Sequence, residues 1–106
     1  MSFNQTAEIC KIPVQERVIK AACEHFEISE ENLLKDTQYN VAYMRHLCYY
    51  LIKKNTNFSQ RFIGFRFKQS RGPVRYGIEL IDATKNIYSP TLADLTKIAE
   101  KAGISI

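Results

Sequence analysis

Apolar residues recur at helical spacing along most of the chain, and short polar runs interrupt them. After Pro13, a residue suited to a first helical turn, Val14, Val18, Ala21, Ala22 and His25 or Phe26 share one face, which predicts a helix over about Pro13–Phe26. Ser29 followed by Glu30 and Glu31 reads as a hydroxyl cap with two carboxylates at the positive end of a short helix that turns Leu33 and Leu34 inward. These carboxylates serve the helix dipole rather than catalysis, since nothing nearby would perturb them. Lys35–Asn40 is polar and reads as a loop. From Val41 to Lys54 apolar residues occupy nearly every angle, densest at Val41, Met44, Leu47, Cys48, Leu51 and Ile52, as expected of a central helix contacted from several sides. Arg45, His46, Tyr49 and Tyr50 are expected to fill its remaining surface.

Asn55–Asn57 breaks this pattern, and Ser59 caps a predicted helix over Gln60–Phe67 with Phe62, Ile63, Phe65 and Phe67 on its apolar side. Lys68–Gly72 reads as a polar turn in which Gly72 supplies the unusual backbone conformation and Pro73 opens the next helix. Val74, Gly77, Ile78 and Ile81 form that helix's inward stripe, leaving Arg71, Arg75 and Tyr76 exposed at its beginning. A short helix, a tight turn and a second helix with a basic, exposed first turn is the layout of a helix-turn-helix, spanning about Gln60–Asn86. Beyond Ser89–Pro90, Thr91–Asp94 has the spacing of a capping box, and Leu92, Leu95, Ile98, Ala99 and Ala102 make a last amphipathic helix stopped by Gly103. That helix packs back on the bundle or offers a face for dimerisation. No strand pattern survives. The expected fold is all-α, a compact bundle of about five to six helices containing the helix-turn-helix, with residues 1–11 as a flexible N-terminal arm and 12–106 as a single helical domain.

Composition narrows the function classes. A chain of 106 residues, 45% hydrophobic and 25% charged, is an ordinary globular domain and too short for a multi-domain enzyme. No apolar run approaches the ~18 residues of a membrane span, and the N-terminus has no secretory h-region, so the expected location is the cytoplasm. Cys10, Cys23 and Cys48 are an odd set without C-x-x-C spacing, which argues for reduced thiols. Cys23 and His25 could join His46 and Cys48 around zinc, but residues two apart on a helix diverge by ~200°, so no metal is expected. No nucleophile stands with a base, His46 has no triad partners, and no cofactor motif occurs, so an enzyme is not expected.

Charge is where the pattern departs from an ordinary domain. The window from Lys53 to Ile78 holds seven of the fifteen basic residues (Lys53, Lys54, Arg61, Arg66, Lys68, Arg71 and Arg75) and none of the eleven acidic ones. Interleaved with aromatic residues, it points to a polyanion, and to nucleic acid first. With the helix from Pro73 in a major groove, Arg71 and Arg75 would lead it, able to hold guanine or phosphate. Gln69 and Ser70 could donate to a phosphate or base edge, and the Ser59 hydroxyl with the amides after it suits a phosphate. Lys53, Lys54, Arg61, Arg66 and Lys68 would add sequence-independent attraction. Neutralising about five phosphates gives a slope of log K against log salt near −4.5. The bland alternatives are solvated arginines at 61 and 66, an Arg75–Glu79 pair on one helix face, and Tyr76 in the core.

The order and spacing of several residues add a family resemblance. An alanine-containing helix leads to Phe26-Glu27-Ile28-Ser29 and Leu33-Leu34, then to a long helix with Arg45 and Tyr50-Leu51, then to Thr56, Ser59, Ile63-Gly64 and Phe67 without a gap. From Val18 to about Asp82 the chain thus resembles the C-terminal DNA-binding domain of the bacterial replication initiator DnaA, a Trp-repressor-like helical fold. The resemblance implies double-stranded DNA as the partner and a role in replication or transcription. The family's signature turn, Arg-Asp-His-Ser/Thr-Thr, is replaced by Ser70, Arg71, Gly72, Pro73 and Val74, and its basic loop by 35–40 with a single lysine. No G-x-x-x-x-G-K-[ST] is present, so the chain has no ATPase module. A homodimer would double the site read by one short helix. The alternative is a protein-interaction module that kept the scaffold and lost the DNA face.

Overall fold

The computed structural model describes residues 12–106, and the N-terminal arm expected at residues 1–11 lies outside them, as does Cys10. Six α-helices follow in order: α1 (Val14–Phe26), α2 (Glu30–Lys35), α3 (Tyr39–Asn55), α4 (Gln60–Phe67), α5 (Arg71–Thr84) and α6 (Ser89–Ala102). No strand occurs among the described residues, and none of the helices is long and apolar enough to cross a membrane. The fold is the expected all-α bundle.

Local chemistry sets the helix ends. The Pro13 carbonyl accepts the first bonds of α1 from Glu16 and Arg17, both at 3.1 Å, and the helix stops at Glu27 in the left-handed region, φ 53. The Ser29 hydroxyl accepts from the Asn32 amide at 3.1 Å, as its spacing predicts. α3 starts two residues before Val41 because Asp36 Oδ1 accepts from the Gln38 amide at 2.9 Å and the Gln38 carbonyl opens the helix, shortening the loop to 36–38. At the other end of α3, Asn55 Nδ2 donates to the Ser105 carbonyl at 2.8 Å and holds the C-terminal residues against the bundle.

α3 is the axis of the core. α5 and α1 pack along it, α6 packs on α1, and α4 closes the side between α3 and α5. Val18, Ile19 and Ala22 of α1 meet Leu47, Leu51 and Ile52 of α3 in a single buried cluster, which continues through Ile63, Phe67, Val74 and Ile81 to Leu95 and Ile98. Contact on so many sides changes the reading of three α3 residues: Arg45, Tyr49 and Tyr50 are buried, not surface-filling. Arg45 has no carboxylate partner among the described residues. Its Nη1 donates to the Leu33 carbonyl at 2.9 Å and to the Asp36 carbonyl at 2.7 Å, so a buried cation is satisfied by the negative end of α2.

α6 differs from expectation at its start. It begins at Ser89 with Pro90 in the first turn, so Thr91 lies inside the helix and is buried rather than capping it. Asp94 is thereby released from a capping box and reaches across the bundle, where its carboxylate accepts from Tyr43 Oη at 2.7 Å and meets His25 Nε2 at 2.8 Å. The apolar face of α6 lies in the core through Leu95, Ile98, Ala99 and Ala102, so the helix packs back on the bundle, while Leu92 at its start stays exposed.

Candidate nucleic-acid interface

The turn between α4 and α5 is tighter than the sequence suggests, and a different glycine makes it so. α4 ends at Phe67, Lys68 takes the left-handed conformation at φ 54, and the Gln69 amide donates back to the Gly64 carbonyl at 2.9 Å. A Cβ on Gly64 would overlap the Gln69 carbonyl and stand 3.3 Å from Val74 Cγ2. Gly72, expected to supply the special conformation, is an ordinary helical residue with open space around it. Pro73 is the third residue of α5, where an amide has no helical acceptor to lose. Gly64→Ala is therefore expected to lower stability by about 2 kcal/mol, the cost of forcing extra volume against a fixed backbone, while Gly72→Ala is expected to be neutral or stabilising. Denaturant unfolding of the two variants checks this.

This turn places the beginnings of α4 and α5 beside each other. Lys53, Ser59, Gln60, Arg61 and Arg71 line a concavity of about 410 Å³, and none of these residues is acidic. The Ser59 hydroxyl accepts from the Phe62 amide at 3.1 Å, which leaves the first-turn amides of Gln60 and Arg61 without a helical acceptor. Lys53 Nζ donates to the Phe58 carbonyl at 2.8 Å and remains exposed at the rim. Lys68 and Ser70 are exposed in the turn, and Ser70 precedes α5 without spending its hydroxyl on a cap. Gln69 is half-buried there. Three cations, the ends of two helix dipoles and unpaired amides on a concave surface suit an anionic oxygen.

Other predicted site residues are arranged differently. Arg66 turns away from this face: Nε donates to Glu16 Oε2 at 2.8 Å and Nη2 to Glu16 Oε1 at 2.9 Å, with Glu30 Oε2 at 3.3 Å. The Glu16 hydrogen bonds push its pKa further up, so it is a permanent cation joining α4 to α1 and α2. Arg66→Ala is expected to lower the melting temperature by about 5 °C, corresponding to about 1 kcal/mol, and to leave duplex affinity unchanged when both are measured on the same preparation. Lys54 lies 5.7 Å over the Tyr50 ring, in a groove that Lys53 also borders and that contains Glu79 and Asp82, which offset the charge on this side. Arg75 pairs with Glu79 at 3.0 Å, but both side chains are more than half exposed, so the pair is weak and able to exchange for another anion. Tyr76 is exposed rather than core, its ring centroid 5.8 Å from that of His46 in an edge-to-face arrangement.

Two features escaped sequence reasoning. Gln60 joins the basic concavity, and its place is set by the capping geometry of Ser59. Phe62 and Phe65, expected on the inward side of α4, are exposed, and the buried face is Ile63, Gly64 and Phe67. A glycine in the middle of that stripe hid its true phase from a count of apolar residues.

His46 supports α5 from below. A Cβ on Gly77 would come within 2.5 Å of its Cδ2, so the recognition-type helix sits directly on the imidazole. Its Nδ1 is buried without a partner, and burial followed by the nearby Arg45 charge lowers its pKa. A depressed base binds its proton more readily when unfolded, so its contribution to stability is complete above about pH 6.5 and is lost as pH falls from there toward the folded value. The expected slope is at most about 1.4 kcal/mol per pH unit, and His46→Gln flattens it in melts between neutral and mildly acidic pH.

The comparison with protein families bears directly on this arrangement. The family model described as bacterial dnaA protein helix-turn-helix matches residues 15–81, more than half of the chain. The chain belongs to this family. Its match runs from α1 into α5 and contains α4, the turn and α5 as far as Ile81, so the basic concavity lies within the DnaA-type helix-turn-helix. α6 lies beyond the matched residues and completes the bundle by packing on α1. No curated protein and no solved structure matches the chain.

Proposed function

We propose that this DnaA-type domain binds double-stranded DNA through α4, the turn and the beginning of α5. The observation that carries the reading is the convergence of Lys53, Arg61 and Arg71 on an acid-free concavity at the starts of both helices of the helix-turn-helix. In this reading the first turn of α5 enters the major groove. Arg71 and Arg75 contact a base edge or phosphate, while Gln69, Ser70 and Tyr76 border them and Ser59 positions the α4 amides toward the backbone. Lys53, Arg61 and Lys68 supply attraction to the phosphates. The replaced signature turn at Ser70–Val74 gives the domain a target of its own rather than the family's origin sequence. A small cytoplasmic regulator of replication or transcription, pairing as a homodimer on two half-sites, is the role that fits.

Anisotropy titration of a random duplex at several salt concentrations tests the reading. With Arg66 engaged by Glu16 and Lys54 offset by acids, Lys53, Arg61, Lys68 and Arg71 neutralise about four phosphates, and the slope of log K against log salt is about −3.6. An absence of binding at low salt contradicts the proposal and assigns the face to a protein partner.

A further inference from the structure

A second concavity, of about 400 Å³, lies between the beginning of α3, the end of α5 and the beginning of α6, and its walls are chemically unlike the basic face. We propose that it is a binding site for a small organic cation, an ammonium group carrying apolar substituents. Tyr39, Tyr43 and Tyr88 line it together with His46, Leu80 and Asp94, and its volume is that of a small-ligand pocket. Phenol rings present a negative π face to a cation, and several around one site hold an alkylated ammonium where water would be poorly accommodated.

Charge selects the ligand. In a chain of net charge +4, the only charged side chain among the described residues that line this cavity is the Asp94 carboxylate, with no lysine or arginine among them. An anion would meet that carboxylate unopposed, and a neutral apolar ligand would cover it without compensation. A cation is favoured by both the carboxylate and the rings. Tyr43 Oη at 2.7 Å and His25 Nε2 at 2.8 Å fix the carboxylate in place, each on a different oxygen, and each oxygen keeps a further lone pair for a ligand. Tyr39 is 90% exposed and Tyr88 58%, and neither ring stacks on another aromatic ring among the described residues. Two large aromatic side chains are thus held at the mouth without use in the core.

The test is a ¹H–¹⁵N titration of the full chain, without DNA, using choline and its uncharged isostere dimethylbutanol. Choline is expected to shift the amides of residues 39–43, 80, 88–89 and 91–94 and to bind at least tenfold more tightly than the isostere. Tyr39→Ala is expected to weaken choline at least fivefold with an unchanged melting temperature, because that side chain lies outside the core. Asp94→Asn is expected to bring choline down to the level of the isostere. Where Asp94→Asn disturbs the fold through Tyr43 and His25, Tyr88→Ala takes its place with an expected loss of at least fivefold. Equal binding of choline and the isostere, shifts confined to the basic face, or no shifts with the fold intact would overturn the proposal. Since no DNA is present, none of these results bears on the duplex reading.

Discussion

Replacing Arg61 and Arg71 together with alanine is expected to weaken duplex binding about a hundredfold at low salt, a loss of about 3 kcal/mol at roughly 1.5 kcal/mol per contact. The two side chains come from different helices and are brought to one concavity by the turn that Gly64 permits, so each can hold its own phosphate or base edge on the same duplex. Removing two phosphate contacts also makes the salt slope shallower by about 1.8. If one of the two reads a base instead, the slope changes by about half as much, and the remaining loss appears as reduced discrimination between duplexes. Neither residue touches the core, so the melting temperature of the double variant is expected to stay within a few degrees of the parent. Anisotropy titrations at two salt concentrations alongside a thermal melt separate these effects.

The largest expected loss of stability belongs to Arg45→Ala. Its guanidinium is the internal partner of two carbonyls, those of Leu33 and Asp36, at a point where α2 ends against α3. Truncation strands both oxygens and removes an aliphatic stem from a buried site, at a cost of about 3 kcal/mol. For a domain of this size that is a fall in melting temperature of roughly 10–20 °C. Arg45→Lys keeps the charge but offers a single ammonium in place of a planar fork, and is expected to recover part of the loss. A thermal melt of the three proteins gives the ranking directly. A melting temperature unchanged in Arg45→Ala would show that water replaces the guanidinium and that the α2 end is not held from α3.

What sequence could and could not reveal follows from the range of the interactions involved. The bounds of α4 were legible, though not its buried face: Ser59 caps it, and the observed Gln60–Phe67 has the predicted ends, because capping acts within a single turn. The resemblance spanning Val18 to about Asp82 also falls close to the matched residues 15–81. Long-range pairing was illegible. The window from Lys53 to Ile78 has no acid of its own, yet Arg66 finds Glu16, fifty positions away in the chain, and so leaves the basic face. The Thr91–Asp94 spacing imitates a capping box, but Pro90 already occupies the first turn and Asp94 is used by Tyr43 and His25. The role of Gly64 was hidden for a related reason. A glycine needed for close approach of a backbone carbonyl looks like any other until the approaching strand of chain, here Gln69, is in place.

The claim that the α4–turn–α5 face meets DNA is tested most directly by a ¹H–¹⁵N titration of the full chain with a random duplex at low salt. The predicted result is shifts concentrated at residues 53, 59–61, 68–72 and 74–76, lost in the Arg61→Ala/Arg71→Ala variant and reversed by added salt. Shifts that avoid these residues, or centre on α6 and the tyrosine-lined cavity, would contradict it.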